Sequence, residues 1–270
     1  MERIDLDDIL ANDKIKYNSN NHWPNNIKPS NYDEIVSLSN TSYWIDKFKT
    51  YKKITINSKE LSWMRECNKI SEQTRKFSHQ FDDELINLLH SHQEYDYLFD
   101  GTPYFVRCDN VSLKYGQHGV GPYYNLKQII ESSVSSLSGH SPIKGHDVLN
   151  FYLIPWVTIN PDKEFRVFIY NGKLTCISQQ NCYRRNSLDV MELEQLCKII
   201  VSYWENTIKA NITHINSYTI DIAILDDSTP YFIEINGFGK EYAAGSALFH
   251  WIIDETKLYG DGNVVHFRYI

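Results

Sequence analysis

Three oxygen-bearing side chains, Asp221, Glu234 and Asn236, stand in the C-terminal part of the chain in a pattern that could hold a hard cation. In the stretch 218–225, isoleucines at 220, 222 and 224 take one face of a strand, which sends Asp221 to the opposite face with Ala223. In 231–236 a strict alternation puts Tyr231, Ile233 and Ile235 on one side, and Glu234 with Asn236 on the other. An Asp-Asp-Ser-Thr-Pro turn joins the two runs as a hairpin, and if it pairs Asp221 near Glu234 the three side chains converge. Such oxygens suit Mg²⁺, which is usually held by one or two carboxylates together with phosphate oxygens and water. The same alternation describes the solvent-facing side of an ordinary antiparallel sheet, and spacing alone leaves both readings open.

Phosphate charge would have to be met by cations. The candidates are Arg107 in an otherwise apolar strand, Lys114 in the loop after it, and Arg166 in Glu164-Phe165-Arg166-Val167-Phe168. An arginine inside an apolar strand usually has a partner, and a salt bridge to Glu164 or Asp109 is the alternative use of these cations. Glycines 116, 119 and 121 could let backbone amides approach a phosphate, but neither a P-loop nor a dinucleotide fingerprint is present. No Ser-His-Asp or Cys-His arrangement has the local context of a known nucleophile, and His118, His214 and His250 read as structural.

The elements that must carry these residues are clearest after Pro103. Residues 104–108 read as a buried strand, 125–137 as a helix, and 138–145, rich in Ser, Gly and Pro, as a mobile connection. Strands follow at 148–158 and 165–170, and Asn171-Gly172 supplies a type I′ turn that returns 173–180 antiparallel to 165–170. Asp189 with Glu192 forms a capping box for a helix whose Leu193, Leu196, Ile200 and Trp204 recur at helical spacing. Residues 245–253 read as a short helix. Upstream, 1–30 is polar and asparagine-rich, an extended arm anchored by Trp23, and 32–98 shows only a possible strand at 54–56 and an apolar-periodic stretch at 84–90. The expected division is an arm and first subdomain over 1–100, and a core over 101–270.

Bulk properties exclude several classes. With 42% hydrophobic and 23% charged residues the chain can bury a substantial core. No apolar run approaches the roughly 20 residues that cross a bilayer, and the opening MERIDLDDIL is acidic where a signal peptide is basic, so no membrane association and a cytoplasmic location are expected. The net charge of −7 is spread along the chain with no basic stripe, which argues against nucleic acid. Five cysteines without a C-x-x-C pair suggest buried thiols rather than disulfides or zinc.

From Tyr104 onward the order of motifs resembles the D123 cell-division-cycle family of ATP-grasp type, which helps assemble translation initiation factor 2. The residues concerned are Phe105-Val106-Arg107 and Ser112-Leu113-Lys114, Trp156 with Asn160-Pro161, Glu164 to Phe168, Asn171 to Leu174 and Ile177-Ser178-Gln179. The series closes with Asp221, with Phe232 to Gly239, with Ala247 to Trp251, and with Phe267-Arg268-Tyr269. The resemblance implies an α+β ATP-grasp fold, two subdomains with antiparallel sheets clasping ATP. It places Arg107, Lys114, Trp156 and Arg166 at the nucleotide, and Asp221, Glu234 and Asn236 around Mg²⁺. It also implies an assembly chaperone whose partner is a subunit of translation initiation factor 2; an ATP-grasp ligase working through an acyl phosphate and a non-catalytic nucleotide-binding module are the alternatives. This chain departs from the family pattern at Ile154-Pro155, where a charged pair is usual, at Gln180-Asn181 in place of Arg-Asp, and at Gly237 in place of proline. The segment 240–246 is slightly longer than the family's.

Overall fold

The computed structural model describes residues 1–145, 147–242 and 244–270. Among the described residues the strands are β1 (Glu2–Arg3), β2 (Lys52–Ile56), β3 (Tyr104–Arg107), β4 (Leu149–Pro155), β5 (Glu164–Tyr170), β6 (Lys173–Gln179), β7 (Tyr218–Ile224), β8 (Pro230–Gly237) and β9 (His266–Tyr269). They form two sheets in two compact units, one made of Phe48–Val157 and the other of Met1–Lys47 with Thr158–Ile270. The α+β class with antiparallel sheets is as expected. The boundary at residue 100 is corrected: β4, which sequence order assigns to the second half, pairs antiparallel with both β2 and β3, so non-local pairing decides the division.

In the unit 48–157 the three strands lie in the order β2-β4-β3. Helix Ser58–Thr74 starts at a capping box in which Asn57 accepts from the amide of Glu60 while Glu60 accepts from that of Asn57. It packs against helix Leu126–Ser135, and Leu61, Met64, Ile129, Ile130, Val106 and Phe151 share one core. The stretch 138–145 is pinned rather than loose: Ile143 is fully buried in this core, and His140 stacks on Tyr115 at 4.0 Å.

In the other unit the six strands run β1-β9-β6-β5-β7-β8, with parallel pairing at β1/β9 and β9/β6 and antiparallel pairing elsewhere. Asn171 and Gly172, with φ of 47° and 68°, make the left-handed turn that the sequence demands between β5 and β6. Helix Val190–Tyr203 has its Asp189–Glu192 capping box, buries Leu193, Leu196 and Ile200, and runs on through a π turn at Trp204–Ile208. Every residue of β7 is buried, so both faces of that strand are covered.

Two expectations are overturned here. The strict alternation over 231–236 fails because Glu234 opposes Asp221 while Phe232 opposes Ile222, leaving Ile233 as an inserted bulge residue. Phe232 and Ile235 therefore share the apolar face, and Tyr231, Glu234 and Asn236 the other. Residues 245–253 are turns and irregular backbone rather than helix, and the helix comes later, at Glu255–Leu258. Their backbone groups are used elsewhere: the Ser246 amide donates to Ser19 O (3.0 Å) and the Leu248 amide to Ser178 Oγ (3.0 Å), and Ala247 has φ of 48°.

The N-terminal arm follows the same segment. β1 extends the sheet, helix Leu6–Asn12 follows, and the chain then runs along 240–251 through Asn18, Ser19 and His22. Trp23 anchors it by donating to Glu241 O (2.9 Å) and meeting Tyr32 edge to face. The helix was not anticipated from so polar a sequence, and only Ile9 of it is buried.

Candidate functional site

Strand register builds a polar row across the sheet of the second unit. Glu2 of β1 pairs with Arg268 of β9, Arg268 with Ser178 of β6, Ser178 with Arg166 of β5, Arg166 with Asp221 of β7, and Asp221 with Glu234 of β8. Because side chains of directly paired residues share a face, these six groups point to one side of the sheet. Asn236 lies two residues beyond Glu234 on that side and donates to its Oε1 at 3.3 Å. The bulge at Ile233 puts Glu234 beside Asp221; with ideal alternation and the pairing Ile222–Phe232, a glutamate at 234 would face away.

The strongest contact in the row is bidentate. Arg166 Nε donates to Asp221 Oδ1 (2.8 Å) and Nη2 to Oδ2 (2.7 Å), while Nη1 donates to Gly245 O (2.8 Å). Asp221 is 3% exposed, so its charge is sustainable only with such a partner. Burial works against the guanidinium charge, but Asp221, with Glu234 behind it, outweighs this and raises the Arg166 pKa further. The neighbouring Cys182 thiol is pushed up to about 12 by burial, with Arg166 pulling weakly the other way. Neither Glu164 nor Asp109 is the bidentate partner of Arg166; that place is taken by the aspartate expected at the metal.

At the far end of the row Arg268 has an equally dense shell. Nη1 and Nη2 donate to Asp254 Oδ2 (2.7 Å) and Oδ1 (2.8 Å), Nε to Glu2 Oε2 (2.8 Å) and Nη1 to Leu248 O (3.1 Å), with the guanidinium carbon 4.4 Å from the centre of the Phe249 ring. Burial opposes the Arg268 charge, and the bonds to Asp254 and Glu2 overcome it to raise the pKa. Arg268 and Ser178 stand in the family motifs without a role assigned from sequence, and Glu2 and Asp254 carry no sequence signal. The signal for Arg268 was present, an arginine between Phe267 and Tyr269 in a short apolar run, much as Arg166 stands between Phe165 and Val167.

The other predicted residues lie in the unit 48–157. Arg107 ends β3 and is 3% exposed. Near it is Lys49, half-buried and absent from the sequence reading, whose ammonium is pulled down to about 6 by burial and then by the Arg107 charge. Lys114 is exposed on the 3-10 turn Leu113–Tyr115 and sits over the Tyr115 ring at 5.5 Å. Trp156 is half-buried just after β4, its amide donating to Pro103 O (2.9 Å). The structure thus brings Arg166, Asp221, Glu234 and Asn236 together on one sheet face, and places Arg107, Lys114 and Trp156 in the other unit.

The glycine loop after Lys114 does something other than present amides to a ligand. The Gln117 amide donates to Ser135 Oγ (2.9 Å) and the His118 amide to Ser132 Oγ (3.1 Å). Gly116 permits this close approach, since a Cβ there would stand 2.3 Å from Ser132 O. The three histidines are engaged within the fold: His118 with Glu131 (2.7 Å), His214 with Leu38 O (2.9 Å), and His250 Nδ1 with the amides of Ile252 and Ile253 (3.2 Å each).

Asp221, Glu234 and Asn236 fit a hard cation by donor type, being oxygen groups from adjacent strands on one face. Among the described residues no group of three or more His, Cys, Asp or Glu could hold a metal alone. Two carboxylates and an amide match an ion that takes the rest of its shell from phosphate and water, as Mg²⁺ does. Since Arg166 offsets the Asp221 charge, Glu234 supplies the remaining carboxylate charge of this set.

Comparison with known proteins bears on the family and the fold. The D123 family model matches residues 128–270, just over half of the chain. A protein of Candida albicans named translation initiation factor eIF2 assembly protein is 29% identical over 150 residues, covering 54% of this chain and 42% of that one, so the match spans less than half the length of that relative. Among solved structures, Cdc123 from Schizosaccharomyces pombe shares the fold with a TM-score of 0.60 at 14% identity, covering 90% of this chain and 99% of that one. An ATP-grasp RimK domain protein from Sphaerobacter thermophilus is also similar, with a TM-score of 0.34 at 10% identity, over 74% of this chain and 58% of that one. No helix among the described residues is long and apolar enough to cross a membrane. The chain belongs to the D123 family.

Proposed function

We propose that this chain is an ATP-grasp protein that binds ATP with Mg²⁺ on the polar face of its six-stranded sheet and serves in the cytoplasm as an assembly chaperone for a subunit of translation initiation factor 2. The observation that carries the reading is the convergence of Asp221, Glu234 and Asn236 on one face beside Arg166, in a chain whose C-terminal half belongs to the D123 family. Glu234 and Asn236 would hold the metal, with Asp221 beside them. Bound there, Mg²⁺ would neutralise phosphate charge and bridge phosphate oxygens. Within the unit 48–157, Arg107 and Lys114 are the cations, and Trp156 the aromatic group, that the family resemblance assigns to a nucleotide. The partner is suggested by the name of the Candida albicans relative, which describes that protein as an assembly protein for the factor.

Direct titration of the separate purified subunits of initiation factor 2 against this chain, with and without MgATP, tests the partner. Saturable binding of one subunit, tightened by MgATP, supports a chaperone. If no subunit binds under either condition while MgATP does, the partner assignment fails and the nucleotide site stands alone.

A further inference from the structure

Three consecutive members of the polar row each hold one backbone group of the same short segment. Arg166 Nη1 donates to Gly245 O (2.8 Å), Ser178 Oγ accepts from the Leu248 amide (3.0 Å), and Arg268 Nη1 donates to Leu248 O (3.1 Å). From the other side the N-terminal arm closes on the segment: Ser19 exchanges bonds with Ser246, accepting from its amide (3.0 Å) and donating its own to Ser246 Oγ (2.8 Å), and Asn18 donates to Ala247 O (2.7 Å). Residues 245–248 therefore form a strap laid across β5, β6 and β9, tied at every position and wedged against Arg166. A Cβ at Gly245 would stand 3.4 Å from Arg166 Nη1 and 3.3 Å from the side-chain oxygens of Asn18 and Asn20.

This geometry bears on what Arg166 can do. Three of its five N–H donors are engaged, two with Asp221 and one with the strap, which fixes its orientation, and turning the guanidinium away would break a buried ion pair and release Gly245 together. We infer that Arg166 is a positioning residue that orients Asp221 for the cation site, and that Arg268, braced by Asp254 and Glu2, fixes that orientation from two strands away through the strap. The inference rests on the nucleotide and metal reading above for its ligand, but the strap itself does not. Arg268 is separated from Arg166 by β6, about 10 Å at the usual strand spacing, too far to share a ligand atom with Asp221. Partners that orient a metal-binding carboxylate typically change metal affinity when altered, without touching the metal.

The experiment compares wild type with Arg166→Lys, Arg268→Lys, Ser178→Ala and the double Arg166→Lys/Arg268→Lys, each checked for folding by circular dichroism. Affinity for ATP is measured with and without Mg²⁺, and hydrogen exchange is followed at the Leu248 amide. Each single change should weaken MgATP binding by about tenfold to a hundredfold while leaving metal-free ATP binding within about twofold. The double variant should be no weaker than Arg166→Lys alone, because both act through one route. Leu248 exchange should quicken in Arg268→Lys and Ser178→Ala. If Arg166→Lys weakens metal-free ATP as much as MgATP, Arg166 is a phosphate ligand and the inference is overturned. It is also overturned if folded Arg268→Lys and Ser178→Ala leave MgATP affinity unchanged. Should wild type bind no MgATP at all, the proposed function fails; unchanged Leu248 exchange in both variants would then reject the strap as well, and quickened exchange would keep it as a support for the Arg166–Asp221 pair.

Discussion

Arg166 and Asp221 lie directly opposite each other on adjacent strands and join through two parallel hydrogen bonds of 2.8 and 2.7 Å, both side chains nearly out of contact with solvent. Two residues of opposite charge, which the motifs place respectively at the phosphates and the metal, form one unit in the folded chain. Removing one partner leaves a buried charge unmatched, which typically costs about 3–5 kcal/mol. Arg166→Met should therefore destabilise the chain by that order in urea denaturation, and Asp221→Leu likewise. The double substitution should cost much less than the sum, since apolar groups of similar volume can replace a buried pair at little cost.

The loop after Lys114 separates two kinds of glycine. At Gly116 a methyl group would overlap the Ser132 backbone, with its oxygen at 2.3 Å and Cα at 2.6 Å, and Gly116→Ala should lower stability by about 1–3 kcal/mol as helix Leu126–Ser135 is pushed away. Gly119 has φ of 65° but nothing within 4 Å of an added Cβ, so Gly119→Ala should cost only the left-handed backbone penalty, about 1–2 kcal/mol. Thermal unfolding of the two variants side by side, with hydrogen exchange at Gln117 and His118, distinguishes them: only the first should expose those amides.

Lys49 predicts a pH dependence. Its ammonium is pulled down to about 6 in the folded chain from an ordinary 10.5, so between these values the unfolded chain holds a proton that the folded chain has released. Stability from this group therefore rises with pH across that window, and is flat below about 6, where both states carry the charge. Lys49→Met should stabilise the chain most at the acid end of the window and progressively less toward pH 10. A difference between the variant and wild type that does not change with pH in urea titrations would contradict the assignment.

Glu2 predicts the opposite limb. Burial raises its carboxyl, but Arg268 and Lys257 more than reverse this and hold it below the usual 4.5. A depressed carboxylate stabilises above its unfolded pKa and loses that contribution as the pH falls through its folded one, so Glu2→Gln should lower stability near neutrality and converge with wild type in acid. Because Glu2 is half exposed, the difference at pH 7 should be no more than about 1 kcal/mol.

Turn and cap signals carried through to the fold, whereas alternation across a bulge and long-range strand pairing did not. Asn171-Gly172 and the Asp189–Glu192 box are decided within four residues, and the structure has both. The hairpin turn made Asp221 opposite Glu234 one open pairing, and the structure has it, yet the bulge at Ile233 that makes the pairing work leaves no trace in alternation. The pairing of β4 with β2, and of the N-terminal Glu2 with Arg268, spans nearly a hundred residues or more of chain and has no periodic signature. A short helix is expected over 245–253, whereas the backbone groups of 245–248 are taken by side chains of the row and by the N-terminal arm.

In the proposed function, Glu234 and Asn236 complete a site for a nucleotide-bound cation next to the Arg166–Asp221 pair. Calorimetric titration of ATP with and without Mg²⁺ tests it most directly, using wild type and Glu234→Gln, which keeps the size of a side chain that is only partly buried. Wild type should show Mg²⁺-dependent binding, and the folded variant a loss of at least about tenfold, with metal-free ATP binding little changed. Absence of binding to folded wild type at about millimolar MgATP, where even weak specific sites fill, or an equal affinity in Glu234→Gln, would contradict it.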